Sequence, residues 1–185
     1  MTAIALLRQP FYFLRHGETA LNAAGLVCGQ SDVPLTPRGE AQARAAVEVL
    51  TTLGIASVWC SPMRRARATA KPFADRSGLP VRIVDGLAER NWGDWEGRPR
   101  TEIRRDATPP GGESPDTFRT RVVAALGLID GPWPVLIVGH AGIGRTIARL
   151  VTGEAERETI RNATPYRCEP ASDGRTGAMT EVDAG

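Results

Sequence analysis

Short apolar runs alternate with helix-start signals along this chain, and that alternation limits the folds open to it. Phe11–Leu14, Ile55–Cys60, Val81–Val84 and Val135–Val138 each read as a short buried strand. Between them, Thr36-Pro37, Ser61-Pro62 and Ser114-Pro115 each pair a capping hydroxyl with a proline suited to a first helical turn. The first helix is expected to run from Thr36-Pro37 to a stop at Gly54, with Ala41, Ala45, Val49 and Leu50 as its apolar stripe. The second should run from Ser61-Pro62 through Ala70, with Pro72 ending or kinking it. A third is expected from Ser114-Pro115 to about Asp130, and a fourth over Ile143–Val151. Gly17 to about Leu35 reads as a polar loop, and 85–113 as irregular chain rich in Gly, Pro and charge. Strands alternating with helices predict a three-layer α/β/α fold on a mostly parallel central sheet.

A length of 185 residues suits one domain, 1–185, and no repeat or long linker divides it. From about Glu169 the chain is polar and rich in small residues, and a weakly held tail is expected there. The net charge of +2 gives no case for nucleic-acid binding. Lys71 is the only lysine, so the cations are arginines, whose planar forks suit phosphate or carboxylate. An arginine-biased composition accounts for most of those on the surface. Cys28, Cys60 and Cys168 are widely spaced and odd in number, which argues against a disulfide framework or a zinc site. Met1–Leu7 lacks a basic start and a cleavage pattern, and no apolar run is long enough to span a bilayer. A cytoplasmic protein without membrane or nucleic-acid partners is expected; the oligomeric state is not legible.

The two histidines of the chain, His16 and His140, each follow an apolar run, with Gly17 after the first and Ala141-Gly142 after the second. In parallel sheets, sites form beyond the carboxyl ends of the strands. The first strand should deliver Arg15-His16 there, the second Ser61 and then Arg64-Arg65, and the Val135–Val138 strand His140. A neutral imidazole is a nucleophile. Flanked by guanidinium forks, it suits phosphoryl transfer, which needs in-line positioning and neutralised equatorial oxygens. The leaving oxygen then needs a proton, usually from a carboxyl group. Leu87–Gly97 carries Glu89, Asp94 and Glu96, and its tryptophans Trp92 and Trp95 could exclude water and raise the pKa of one of them. The residues themselves do not select among the three.

Arg15-His16-Gly17-Glu18-Thr19 with Asn22 resembles the signature of the histidine phosphatase superfamily, the phosphoglycerate-mutase-like group. The resemblance continues in order through Gly29-Gln30-Ser31-Asp32, Ser61-Pro62-Met63-Arg64-Arg65-Ala66, Glu89 with Trp92–Gly97, Gly111-Gly112-Glu113-Ser114 and Gly139-His140-Ala141-Gly142. It covers roughly residues 10–152 and implies the phosphoglycerate-mutase-like fold. It further implies that His16 is the nucleophile that becomes phosphohistidine. Arg15, Arg65 and His140 would hold the phosphate, and Glu89 would donate the proton. Arg64, the neighbour of Arg65, is expected on the helix surface. Gly17, Thr19, Asn22, Gly29, Gln30 and Ala141 are the implied contacts to phosphate or substrate. The implied substrate is a small phosphorylated metabolite, with no metal or organic cofactor.

The stretch between Gly97 and Gly111 is shorter than the lid of the cofactor-dependent mutases of the group. Water should therefore reach phosphohistidine, which favours hydrolysis over phosphoryl transfer. Arg98, Arg100, Arg104 and Arg105 give that short lid a basic face. The Trp-Glu-Gly-Arg-Pro and Gly-Gly-Glu-Ser blocks resemble the alpha-ribazole-phosphatase-like branch. A phosphomonoesterase is the leading expectation. A phosphoglycerate mutase is one alternative, and a non-catalytic binding or scaffold member of the fold is another. Specificity is expected to come from residues 90–113 and from Arg161–Tyr166.

Overall fold

Each apolar run of the sequence becomes a strand, three of them with neighbours on both sides and Val81–Ile83 at the edge. In the computed structural model, which describes residues 4–153, 159–171 and 176–183, a six-stranded sheet has the order β3-β2-β4-β1-β5-β6. Strands β1 (Phe11–Arg15), β2 (Ser57–Cys60), β3 (Val81–Ile83) and β4 (Val135–Gly139) pair in parallel. Strands β5 (Pro165–Glu169) and β6 (Ala178–Glu181) extend the sheet antiparallel. The expected layering holds: alternate side chains serve opposite faces. Tyr12, Leu14, Val58, Cys60, Leu136 and Val138 meet α2 (Pro37–Leu50) and α3 (Arg64–Ser77) through Ala46, Leu50, Ala70 and Phe73. Phe11, Phe13, Val135, Ile137 and Tyr166 meet α4 (Pro115–Leu126) and α5 (Ala141–Thr152) through Val122, Ile143 and Ile147.

Strand register brings the functional ends level. Arg15 lies opposite Gly139, and Cys60 opposite Val138. The ladder runs one step further, with His16 N–H donating to Gly139 O at 2.9 Å and Ser61 N–H to Val138 O at 3.0 Å. His16, Ser61 and His140 therefore leave the sheet side by side.

Several local expectations are corrected. In α2 the buried set is Gly39, Ala43, Ala46 and Leu50, while Ala41 and Ala45 face solvent. Leu50 is the largest apolar group at the helix end, and residues one, two and three turns before it follow its phase. Thr36 does cap this helix, accepting from Gly39 N–H. Ser61 does not cap α3: that helix starts at Arg64, whose N–H donates instead to Asp32 Oδ1 at 2.8 Å. Nor does Pro72 end it. The helix continues to Ser77 because buried Phe73 anchors its far half, and Gly78 closes it in the left-handed region at φ 74°. Inside the expected loop after Gly17, α1 (Ala20–Ala23) forms on a reciprocal capping box between Thr19 and Asn22. The tail is not loose throughout: Ala178–Glu181 is a strand, Met179 enters the core, and Tyr166 Oη donates to Glu181. Residues 172–175 and 184–185 of that tail lie outside the described residues. Four residues of alternation are too short a signal, and a strand opening on Pro165 reads as a turn.

Gly17 sits where two backbones touch. A Cβ there would overlap the carbonyl oxygen of Gly39 on α2, and neither chain can yield cheaply. Gly17→Ala should therefore cost about 1–3 kcal/mol of stability, as overpacking does, read as a lowered denaturation midpoint. Among the described residues, no helix is long and apolar enough to cross a membrane.

Candidate active site

Three strand ends and the loops that follow β1, β3 and α5 line a cleft of about 260 Å³. Arg15 and His16 come from the end of β1, Arg65 from α3, Ala141 from the start of α5, and Glu89 from the loop after β3. His140 lies just behind this lining, wholly buried, with its ring centroid 5.2 Å from that of His16.

His16 Nδ1 is 2.7 Å from the Gly17 carbonyl oxygen. A carbonyl only accepts, so Nδ1 carries the proton and Nε2 keeps its lone pair. Burial pushes the His16 imidazole well below the usual histidine range, and the Arg15 and Arg65 guanidiniums push the same way. Burial does the same to His140, with Arg65, His16 and Arg15 adding to it. Both rings stay neutral in the folded protein while an unfolded histidine protonates near pH 6.5, at about its ordinary pKa. The unfolded chain then binds more protons, so folding stability drops as pH falls below about 6.5 and goes on dropping down to the folded pKa. Each ring should contribute a slope of about 1.4 kcal/mol per pH unit in that window. Denaturant midpoints between pH 7 and pH 5 check this: His140→Asn should lose one ring's share of the slope.

The arginines are held by backbone carbonyls and left open at one atom. Arg65 is fully buried, as its helical phase with Thr69 and Phe73 requires, and its Nη1 and Nη2 donate to Ser31 O at 2.9 Å and Gly29 O at 2.7 Å. Arg64, one position away, is exposed. Arg15 Nη1 donates to Ile160 O at 2.7 Å, and burial, then Arg100, pushes its pKa down to about 10. Among the described residues, the buried side-chain nitrogens and oxygens without a hydrogen-bond partner are Arg15 Nε, Arg65 Nε and His140 Nδ1. Leaving such groups unmade costs about 1–3 kcal/mol each, more when charged. Three at one place describe a receptor for an anion with several acceptor oxygens.

Glu89 is nearly buried, its Oε1 accepting from Arg90 N–H at 2.9 Å and Oε2 from Gly142 N–H at 3.0 Å. Glu96 serves elsewhere. Its carboxylate accepts from Gln30 N–H and Ser31 N–H, both at 2.7 Å, and from the Ser31 hydroxyl. It thereby braces the loop whose carbonyls orient Arg65. Asp94 is exposed. The three carboxylates that the sequence leaves equivalent are thus separated by position.

Of the expected substrate contacts, Asn22, Gly29 and Ala141 line the cleft. Gly17, Thr19 and Gln30 do not. The Gly17 N–H donates to Thr69 Oγ1, Thr19 caps α1, and Gln30 Nε2 donates to the Glu89 carbonyl at 3.1 Å. Of the lid arginines, Arg100 and Arg105 line the cleft, while Arg98 and Arg104 stay outside, Arg104 paired with Asp106 in solvent. Trp92 reaches the lining beneath the Arg90 guanidinium, 4.2 Å from its ring centroid. Cys28 also lines it, with burial pushing its thiol pKa up, which suits an inert group. Three further polar groups join the site. Ser61 bonds His140, Asn162 Nδ2 donates to the His16 carbonyl at 2.8 Å, and Arg145 lines the cleft from α5. Ser61 stands at an expected strand end and Asn162 within Arg161–Tyr166; the sequence reading misses Arg145, which lies one turn beyond Ala141 on the same helix face.

The family described as "Histidine phosphatase superfamily (branch 1)" matches residues 11–176. The chain is 34% identical over 179 residues to a protein of an Enterobacter strain named as a probable phosphoglycerate mutase, covering 85% of this chain and 83% of that one. It is 33% identical over 163 residues to the adenosylcobalamin/alpha-ribazole phosphatase of Escherichia coli, covering 78% and 80%. The mycobacterial glucosyl-3-phosphoglycerate phosphatase, solved in complex with VO3, superposes with a TM-score of 0.76 at 28% identity, covering 95% of this chain and 98% of that one. A family match over most of the chain and relatives above 30% identity agree, and the chain belongs to the histidine phosphatase superfamily.

Proposed function

We propose that this protein hydrolyses the phosphomonoester of a small phosphorylated metabolite through a phosphohistidine on His16. The observation that carries this reading is the set of partnerless buried donors, Arg15 Nε, Arg65 Nε and His140 Nδ1, beside a histidine whose Nε2 lone pair is free. In the first step Nε2 attacks phosphorus in line, the P–N bond forms and the P–O ester bond breaks. Arg15, Arg65 and His140 hold the equatorial oxygens, and Glu89 gives its proton to the leaving oxygen. In the second step the Glu89 carboxylate takes a proton from water, whose oxygen attacks phosphorus. The P–N bond breaks, and inorganic phosphate leaves with Nε2 restored. Asn22, Gly29 and Ala141 border the phosphate, with Gly17, Thr19 and Gln30 supporting from behind.

The brevity of the lid, from which Arg100 and Arg105 line the cleft, favours hydrolysis over mutase transfer because it leaves water access to phosphohistidine. Buried Cys28 and Cys60, thiols outside any disulfide, support a cytoplasmic, reducing location. The test is a phosphate-release screen over phosphosugars, phosphoglycerates, nucleotides and phosphopeptides, with His16→Ala as the blank. Release from a small phosphoester that disappears in the blank supports the reading. Phosphate exchange between positions of a sugar acid, without net release, would replace it by the mutase alternative.

A further inference from the structure

Ser61 is fully buried at the end of β2, and its Oγ lies 2.7 Å from His140 Nε2. The same Oγ accepts from Met63 N–H at 3.3 Å. A serine hydroxyl has one proton to give and two lone pairs to fill. Suppose His140 Nε2 carried the ring proton. Ser61 would then accept from both neighbours, and its own O–H would point into buried space with no acceptor among the described residues. Reversing the bond removes that cost, because the hydroxyl then donates to Nε2 while still accepting from Met63. The ring proton must then sit on Nδ1, which is the buried nitrogen without a partner.

We propose that Ser61 is a positioning residue that fixes His140 as the neutral Nδ1–H tautomer, aiming a preformed donor at the bound phosphoryl group. His140 then contributes a hydrogen bond without taking up or releasing a proton during the reaction. That leaves proton traffic to Glu89, and this part rests on the function proposed above. The two histidines share one tautomer for different purposes. In His16 the Gly17 carbonyl keeps the proton on Nδ1 so that Nε2 can attack. In His140 the Ser61 hydroxyl keeps it on Nδ1 so that Nδ1 can donate. The Ser61-Pro62 pair, which reads in the sequence as a helix cap, is then a device of the site rather than of α3.

A chain with two histidines makes the test direct. Ring-¹⁵N-labelled protein, without ligand and at neutral pH, should show both imidazoles protonated at Nδ1 in long-range ¹H–¹⁵N spectra. His140→Asn assigns the two signals. In Ser61→Ala the His140 signal should move toward the Nε2–H form while that of His16 stays, and Ser61→Thr should restore it. Inorganic phosphate affinity should weaken about tenfold in Ser61→Ala, the effect of one misaligned buried hydrogen bond, and recover in Ser61→Thr. A role in packing alone would lower the melting temperature of Ser61→Ala without moving the tautomer. An Nε2–H His140 in the parent protein overturns the proposal, and so does a Ser61→Ala protein with unchanged His140 signal and phosphate affinity. The parent spectrum decides even where Ser61→Ala fails to fold. Failure of the phosphatase reading would show separately, as absent phosphate release from the parent.

Discussion

Replacement of His16 by alanine is expected to take phosphate release to the assay background. Removing an enzymic nucleophile elsewhere costs on the order of 10⁶ in turnover, and here no second nucleophile stands by. His140 is turned away from attack by its bond to Ser61, and the Cys28 thiol is pushed up by burial. The substitution should spare the anion receptor, because Arg15 and Arg65 donate to the carbonyls of Ile160, Ser31 and Gly29 and His140 bonds Ser61, none of them relying on the His16 ring. Steady-state phosphate release and calorimetric phosphate binding on the same preparation separate the two effects. Unchanged hydrolysis in His16→Ala would end the phosphohistidine scheme.

Glu89→Gln is the second large effect, expected to slow hydrolysis of alkyl phosphates by about 10²–10⁴, the usual worth of general acid–base help. The dependence on leaving group makes this a test of mechanism. An alkoxide needs the proton of Glu89 to leave, whereas p-nitrophenolate does not. With p-nitrophenyl phosphate the variant should phosphorylate His16 readily and then stall, because no base activates the water. A burst of nitrophenolate near one equivalent, with phosphohistidine accumulating, is the expected result. Equal slowing of both substrate types without that accumulation would give Glu89 a merely structural place, as anchor for the N–H groups of Arg90 and Gly142.

The strand-end part of the cleft is legible in the sequence. Histidines at the ends of Phe11–Leu14 and Val135–Val138 were expected beside each other because parallel strands present their carboxyl ends on one side of a sheet. The register that sets Arg15 opposite Gly139 makes them so. Family resemblance separated Arg65 from Arg64, and the helical phase that buries Thr69 and Phe73 gives the physical reason. The residues of that loop do not by themselves select Glu89, since Glu96 lies one short 3-10 turn away; the resemblance points to Glu89, and the folded loop sets one carboxylate in the cleft and clasps the other to Ser31. Gly17, Thr19 and Gln30, which the resemblance implies as contacts, lie outside the cleft lining and hydrogen-bond Thr69, Asn22 and Glu89 within the scaffold that holds it.

Patterns local in the chain therefore decided the layers, the parallel strands and the pair of strand-end histidines, because side-chain period and capping chemistry act over a few residues. Contacts between distant segments decided the rest. The strands Pro165–Glu169 and Ala178–Glu181 exist because an open edge of β1 accepts them. The Ser61 hydroxyl left its expected cap because a buried imidazole seventy-nine positions away competes for it. Which buried nitrogens stay without partners is settled only when every other polar group has found its own. That is a property of the whole packed structure, since a buried hydrogen-bonding group is satisfied or left open by neighbours that the chain order does not name.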